Sequence, residues 1–443
     1  MASTSPQNKI GPFLATMVVT SSMIGSGVFL LPASLGAIGS ISIIGYLIAA
    51  LAAALIGGVF ALLAIANPGT AGLFSYVRDA FGGCAGFVTG ALYWASCLVA
   101  CVAIALAVAG YLSVFVPVIA KPPGLTIATV AIVWLFVALN FPGPRFVAWM
   151  QSWTVFLGLL PVLFVAIGGW FFFHGTTFSA SWNVSGESDL AILPRATVIA
   201  FWAFLGMESA IILSVRVRNP LRDVPIGTLG GLAIATVIYI AASAAMMGML
   251  PAAVLAKSSA PFADAIAPVL GAVAAGGVAL FAMLKASGTL ATTVLLTVET
   301  AEAEAVLGSV RTAPAVEVAP RASFGNLIFT GVVASALVVL SVSPTLARQF
   351  TIVTNASVVL SLLVYGAAAL ALLRLGNALP QRMRIVAYVV AVLCALLCVA
   401  LIAASEIPSL VGSACMIALA VAAWLVIQLR ARAANRTRLL AEA

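Results

Sequence analysis

Two stretches of this 443-residue chain combine a lapse in helical regularity with groups able to hold something small. Met23-Ile24-Gly25-Ser26-Gly27-Val28-Phe29-Leu30-Leu31-Pro32 sets two glycines around a serine inside a long apolar run. Glycine costs a helix interior roughly 1 kcal/mol against alanine, and in hydrocarbon every freed backbone group needs a new partner. A break of this kind is tolerated where it is buried in protein or lines a watery cavity, and its loose N–H and C=O groups then become ligands. The second stretch, Phe201-Trp202-Ala203-Phe204-Leu205-Gly206-Met207-Glu208-Ser209, places a glycine beside a carboxylate in an otherwise apolar run. A third run carries Lys285, Ser287, Gly288, Thr289, Thr292 and Thr293. The alternative for Gly25 and Gly27 is close helix packing, which small residues also serve.

The elements that must position these groups are membrane helices. Hydrophobic residues make up 64% of the chain and charged residues only 7%, against about 25% charged in ordinary globular chains. Apolar runs long enough to cross a hydrocarbon core of about 30 Å recur throughout. They are expected near 13–36, 40–66, 85–116, 125–141, 149–173, 195–215, 226–250, 271–298, 324–343, 350–373, 385–404 and 407–428. The first is too long for a signal-peptide core and is read as a span. With the N-terminus inside, fifteen Lys and Arg fall on inner segments (Lys9, Arg78, Arg145, Arg216, Arg218, Arg222, Arg311, Arg321 and others) and four on outer ones: Lys121, Arg195, Lys257 and Arg348. The positive-inside rule therefore puts both termini in the cytoplasm of a cell (inner) membrane. The net charge of +8 is a topology signal, and no nucleic-acid surface is expected. The six cysteines lack metal-ligand spacing and read as small apolar packing. No cofactor or metal is expected, and His174, alone in an outer loop, reads as solvated.

Spans one and six each open a block of five, and both are interrupted at similar depth. Because five is odd, the second block enters from the opposite side. The expected fold is therefore an all-α integral membrane protein of twelve transmembrane helices, a 5+5 inverted repeat with helices 1 and 6 broken. In domain terms, 1–225 holds the first repeat and the start of the second, 226–374 the rest of the second, and 375–443 the last two spans and a basic tail. Paired interruptions in two inverted halves point to a substrate site at the midplane. Open amides suit a carboxylate and the carbonyls of facing half-helices suit an ammonium group. An α-amino acid carries both.

Gly25-Ser26-Gly27-Val28-Phe29-Leu30-Leu31-Pro32 resembles the helix 1 signature of the amino acid–polyamine–organocation (APC) superfamily. With Leu92-Tyr93-Trp94, Gly110-Tyr111-Leu112-Ser113, Trp182-Asn183-Val184-Ser185-Gly186, Gly206–Ser209 and Asn219-Pro220 to Pro225, the resemblance covers nearly the whole chain and narrows to its basic amino acid/polyamine antiporters, the bacterial arginine/agmatine type above all. It implies alternating access with the LeuT/APC fold, a small-molecule amino acid or amine as substrate, the lipid bilayer as surroundings and a homodimer as assembly. By the same resemblance the backbone from Ser22, Met23 and Ile24 through Gly25, Ser26 and Gly27 holds the substrate carboxylate. Trp202 covers the site from outside, with Leu205 beside it; Cys97 and Ser357 line the pocket. Tyr93, Glu208 and Tyr365 match an inner gate whose acid senses protons. Four positions depart: Ser22 and Cys101 replace asparagines, Ile104 a methionine, and Thr293 the tryptophan on which the arginine side chain stacks. Loss of that platform removes about 1–2 kcal/mol of guanidinium recognition.

Glu208 and Lys285 are the ionisable residues set deep in spans. A charge at the bilayer centre costs about 2.5–3.5 kcal/mol on insertion scales, so each reads as functional unless the two form a structural pair or Lys285 snorkels. Sodium-coupled relatives hold a cation where the eighth span faces the first break. Lys285, one turn from Thr289, is expected to replace it by bonding the carbonyls near Met23 and Ile24, giving sodium-independent transport. Glu299, Glu302 and Glu304, further along that helix, read as a solvated or arginine-paired face.

The function expected is thus sodium-independent exchange of a cationic amino acid for its decarboxylated amine. A neutral amino acid exchanger or proton-coupled permease is the alternative, favoured by Thr293, Cys101 and Ile104. A transport-inactive sensor is the remoter one, and an intramembrane enzyme is disfavoured for want of a nucleophile–base pair. Lys285→Met should abolish or uncouple exchange while the protein still inserts; proteoliposome exchange unchanged across pH would show that the ammonium has no part in it.

Overall fold

The computed structural model describes residues 11–25, 27–67, 72–209, 217, 219–308 and 323–442. Ser26 lies outside them, as do Lys9, Arg216, Arg218, Arg311 and Arg321. The described chain is built from helices: α1 (Pro12–Met23), α2 (Gly27–Gly36), α3 (Ser42–Ala66), α4 (Leu73–Phe81), α5 (Gly83–Leu112), α6 (Gly124–Leu139), α7 (Pro144–Leu163) and α8 (Gly175–Ala180). There follow α9 (Asp189–Phe201), α10 (Pro220–Met249), α11 (Ala252–Leu255), α12 (Pro261–Gly308), α13 (Phe324–Leu340), α14 (Leu346–Leu375), α15 (Gln381–Ala403) and α16 (Ile407–Glu442).

Among the described residues eight helices are long and apolar enough to cross a bilayer, or nine when α1 and α2, bent by 50° at their break, count as one. Each of the twelve expected runs contains helix among its described residues, but three fall short of that measure. α6 and α13 have 16 and 17 residues, and at 1.5 Å per residue they rise only about 24–26 Å, against a core of about 30 Å. α9 has 13 residues and passes into a tight turn at Trp202–Phe204. With this many spanning helices, and hydrocarbon-like faces turned outward, the chain is a multi-pass membrane protein.

Three short helices, α4, α8 and α11, lie outside the expected runs. Residues 67–81, between the second and third runs, read as a plain connection, yet α4 forms because Leu73, Tyr76, Val77 and Ala80 recur at helical spacing and bury one face. α8 follows α7, and α11 lies between α10 and α12.

The core is centred on α5, which packs between α12 and α14. α1 lies along α10, while α3 is held by α9 and α10. α15 and α16 stay at the margin, against α14 and α5. A buried tyrosine locks the second half of the broken span: Tyr111 donates to the Phe29 carbonyl (2.9 Å) and accepts from the Phe262 N–H (3.4 Å), joining α2, α5 and α12.

Residues 181–189 cover one end of the bundle by backbone pairing: Ser40 and Ile41 donate to the carbonyls of Ser181 and Trp182, and Val184 donates to Ile38. Asp189 clamps this segment, accepting from the Trp182 indole (3.0 Å) and the Asn183 amide (2.7 Å). Those bonds, Trp182's first, hold its carboxyl below the ordinary value. A depressed native value means that the clamp contributes fully above the unfolded carboxyl value of about 3.9 and is lost as pH falls through the native one. Asp189→Asn should therefore speed hydrogen exchange of residues 181–189 at neutral pH, and the difference from wild type should fade under acid.

Candidate functional site

Helix breaks create the site. At the first, the Gly25 N–H turns back to the Met23 carbonyl (2.7 Å) while the Ile24 N–H still reaches Thr20 (2.9 Å), so the i→i−4 ladder stops here. At the second, Gly206 adopts φ +101°, a left-handed conformation open to glycine and strained by about 1–2 kcal/mol for other residues. The two breaks touch. A Cβ on Gly206 would stand 2.8 Å from the Ser22 carbonyl oxygen, and one on Gly27 would stand 2.7 Å from Trp202 Nε1. Only bare backbone lets α1 and the turn after α9 meet this closely, with the Trp202 ring over Gly27 and Phe350 edge-on behind it at 6.2 Å.

Between the breaks lies a cavity of about 320 Å³. It brings together Ser22, Met23, Gly25, Gly27, Tyr93, Cys97, Ile104, Trp202, Leu205, Glu208, Thr289, Thr293 and Ser357 from the sequence-derived set. Glu208 is tied at both oxygens. Tyr93 donates to Oε1 (3.3 Å), while Tyr365 (2.9 Å) and the Gly206 N–H (3.0 Å) donate to Oε2. Two helices and one break thus converge on a single carboxylate, although Tyr365 stands behind the cavity wall. Beside it Ser96 of α5 meets Ser357 (3.0 Å) and Ser361 (2.7 Å) of α14 in a buried hydroxyl seam.

Other expected residues stand elsewhere. Ile24 is buried outside the cavity lining, and Ser26 lies outside the described residues. Cys101 is buried, its Sγ 3.6 Å from Thr297 Oγ1, and does not line the cavity. Lys285 is fully buried with its stem against Gly158 of α7, and among the described residues its Nζ has no hydrogen-bond partner. The expected bonds to the carbonyls near Met23 and Ile24 are not made; the Met23 carbonyl accepts the Gly25 N–H instead. The residue of that helix which reaches the break is Thr289, with Cγ2 3.2 Å from where a Cβ on Gly25 would stand.

Sequence reasoning passed over Ser96, Gln151, Ser209, Thr292, Leu296, Glu299 and Ser361, all of which line the cavity. Glu299 corrects the expectation of a solvated face: it is half-buried in the cavity wall. Glu302 instead accepts from the Ser323 N–H (2.7 Å), and the side chain of Glu304 lies outside the described residues. A signal existed. Thr289, Thr292, Leu296 and Glu299 recur at helical spacing, so once Thr289 is set at the break the stripe follows.

Residues 10–427 match the amino acid permease family. Similar curated proteins include the cadaverine/lysine antiporter of Escherichia coli strain K12, 39% identical over 280 residues, or 62% of each chain. The match thus spans under two thirds of that relative's length. The putrescine transporter PotE of Haemophilus influenzae is 30% identical over 409 residues, covering 92% of this chain and 94% of the relative. Its Escherichia coli K12 counterpart is 29% identical over 417 residues, covering 93% and 94%.

The contact between the breaks yields a measurable expectation. Gly206→Ala adds backbone strain and presses on the Ser22 carbonyl, and should lower the free energy of unfolding by at least about 1–2 kcal/mol. Gly58→Ala, whose Cβ would meet only Val390 at an ordinary 3.6 Å, should be neutral or slightly stabilising. Denaturation of both variants in detergent checks this.

Proposed function

This chain belongs to the amino acid permease family, and on that premise we propose that it is a secondary transporter exchanging a cationic amino acid for its decarboxylated amine. The observation that carries the proposal is the cavity at the two breaks, which offers interrupted backbone on one side and only acids among its charged lining residues, Glu208 and Glu299. Amides left open by a break favour a carboxylate, and two acids in a low-dielectric pocket favour a ligand of positive charge. The printed functions of the relatives, cadaverine/lysine antiport and putrescine transport, agree with such a substrate class.

In this reading the twelve runs form a 5+5 inverted repeat in the inner membrane with both termini cytoplasmic. The first repeat and the start of the second occupy 1–225, the remainder of the second 226–374. Trp202 closes the cavity toward the outside, and Glu208 with Tyr93 and Tyr365 forms the inner gate. Alternating access rocks α1, α2 and α9 against the α5–α12 scaffold. Opening inward separates Glu208 from at least one tyrosine, so protonation of the acid and gate opening are coupled. Exchange is taken to be independent of sodium, although Lys285, packed against Gly158, does not reach the break to replace an ion there.

Within the cationic class, Ile104 and Thr293 line the cavity where a stacking ring would be needed to grip a planar guanidinium. That favours an aliphatic ammonium, the lysine/cadaverine pair, over arginine/agmatine. The neutral amino acid alternative loses one support, because Cys101 does not line the cavity.

Purified protein in proteoliposomes loaded with unlabelled cadaverine should take up labelled lysine without sodium, and empty vesicles should not. Competition by arginine, agmatine, ornithine, putrescine and neutral amino acids then ranks the substrates. Equal uptake into empty vesicles would replace exchange by symport or uniport, and the absence of any flux would leave a sensor.

A further inference from the structure

The charged lining of the cavity is unequal in its commitments. Glu208 spends both oxygens on Tyr93, Tyr365 and the Gly206 N–H. Glu299 has no hydrogen bond or ion pair to any described residue, although it is half-buried in the same wall. No lysine or arginine among the described residues lines the cavity to neutralise it. A second unspent group is nearby in kind. Gln151, on α7, lines the cavity with its amide oxygen buried and unpartnered, 2.8 Å from where a Cβ on Gly288 would stand. Ser209 Oγ, also in the lining, is likewise buried without a partner. A buried acceptor left unpaired costs about 1–3 kcal/mol. Such acceptors in the same cavity wall as a carboxylate without a partner make a surface that stabilises a bound cation with N–H bonds to give.

Position along α12 agrees. Thr289 stands at the first break, and Glu299 comes ten residues later, about 15 Å down the axis at 1.5 Å per residue. Side chains of a helix lean toward its N-terminus, so the Glu299 carboxylate reaches back toward the break. The hydroxyls of Thr289, Thr292 and Thr293 all donate to their own helix, which leaves their lone pairs facing the path between. An extended dibasic molecule bonded at both ends can cover that reach; an amino acid without a second charge cannot.

We propose that Glu299 forms the subsite for the substrate's terminal ammonium, with the amide oxygen of Gln151 as a second acceptor beside Gly288, nearer the break, and so selects dibasic amino acids and α,ω-diamines over neutral amino acids. This rests on the exchanger reading above and adds to it the residues that recognise the side-chain end. Glu299 supplies the counter-charge and Gln151 a neutral acceptor that holds the chain on line toward it. Trp202 and the breaks recognise only the part common to all amino acids.

The test is lysine–cadaverine exchange by the full-length protein in proteoliposomes, with norleucine, the lysine analogue lacking the ε-ammonium, as competitor. Glu299→Gln should raise the KM for cadaverine and for lysine at least tenfold while Vmax stays within about twofold of wild type. It should also flatten the salt dependence of KM, which a purely structural role would not do. Glu299→Asp should recover part of the loss. Gln151→Leu should raise KM about fivefold, and inhibition by norleucine should be unchanged in every variant. Wild-type exchange with both variants within twofold in KM would overturn the subsite and leave the exchanger reading standing. A wild type that moves neither lysine nor cadaverine would overturn the exchanger reading itself. Melting temperatures of the purified variants within a few degrees of wild type ensure that a rise in KM reports recognition.

Discussion

A helix inside hydrocarbon can stop only where something else takes up its backbone groups, and the architecture around the cavity answers to that demand. At the first break part of the debt is met locally, by the Gly25 N–H turning back on Met23. At the second it is met by a side chain, Glu208, which accepts the Gly206 N–H. The breaks also shelter each other, since Gly206 rests on the Ser22 carbonyl at a distance that no other residue could keep. Everything that makes this protein more than a bundle lies within a few residues of that contact.

The arrangement explains why so much polarity is gathered at one depth. Glu208 is bound from α5 by Tyr93 and from α14 by Tyr365, and the Ser96–Ser357–Ser361 seam ties the same two helices. The carboxylate and the serine seam therefore tie α5 to α14 at two levels about one turn apart, so a change at the carboxylate is felt by both helices. Lys285 is a different case. It is enclosed by packing, its stem filling the space left by Gly158, and its ammonium group finds no partner among the described residues. Keeping such a group charged without a partner is costly.

Membership in the amino acid permease family rests on a match across 10–427, and the cavity adds what family membership leaves open. The backbone half of the site is suited to any α-amino acid. The side-chain half lacks an aromatic platform at Thr293 and carries a free acid at Glu299, a combination that suits an aliphatic ammonium more than a guanidinium.

From the sequence alone came the apolar runs, both breaks, the burial of Lys285, and the pairing of Glu208 with Tyr93 and Tyr365, the last through resemblance. These are properties of composition and of depth along a span, which a linear pattern carries directly. Which way a residue faces was another matter. α5 is apolar nearly all round and carries no amphipathic stripe from which to read a face, and on α12 the stripe from Thr289 to Glu299 can be read only once Thr289 is set at the break. That is why Cys101 was expected in the cavity and is packed against Thr297, why Lys285 was aimed at the break and lies on Gly158, and why Glu299 and Gln151 were passed over. α4 shows the opposite case, a short amphipathic helix whose stripe was present in the sequence and overlooked. Two glycines and a carboxylate foretold where the helices would open; only the packing of α7 and α12 decided which side chains look into the opening, because rotation about a helix axis is set by its neighbours.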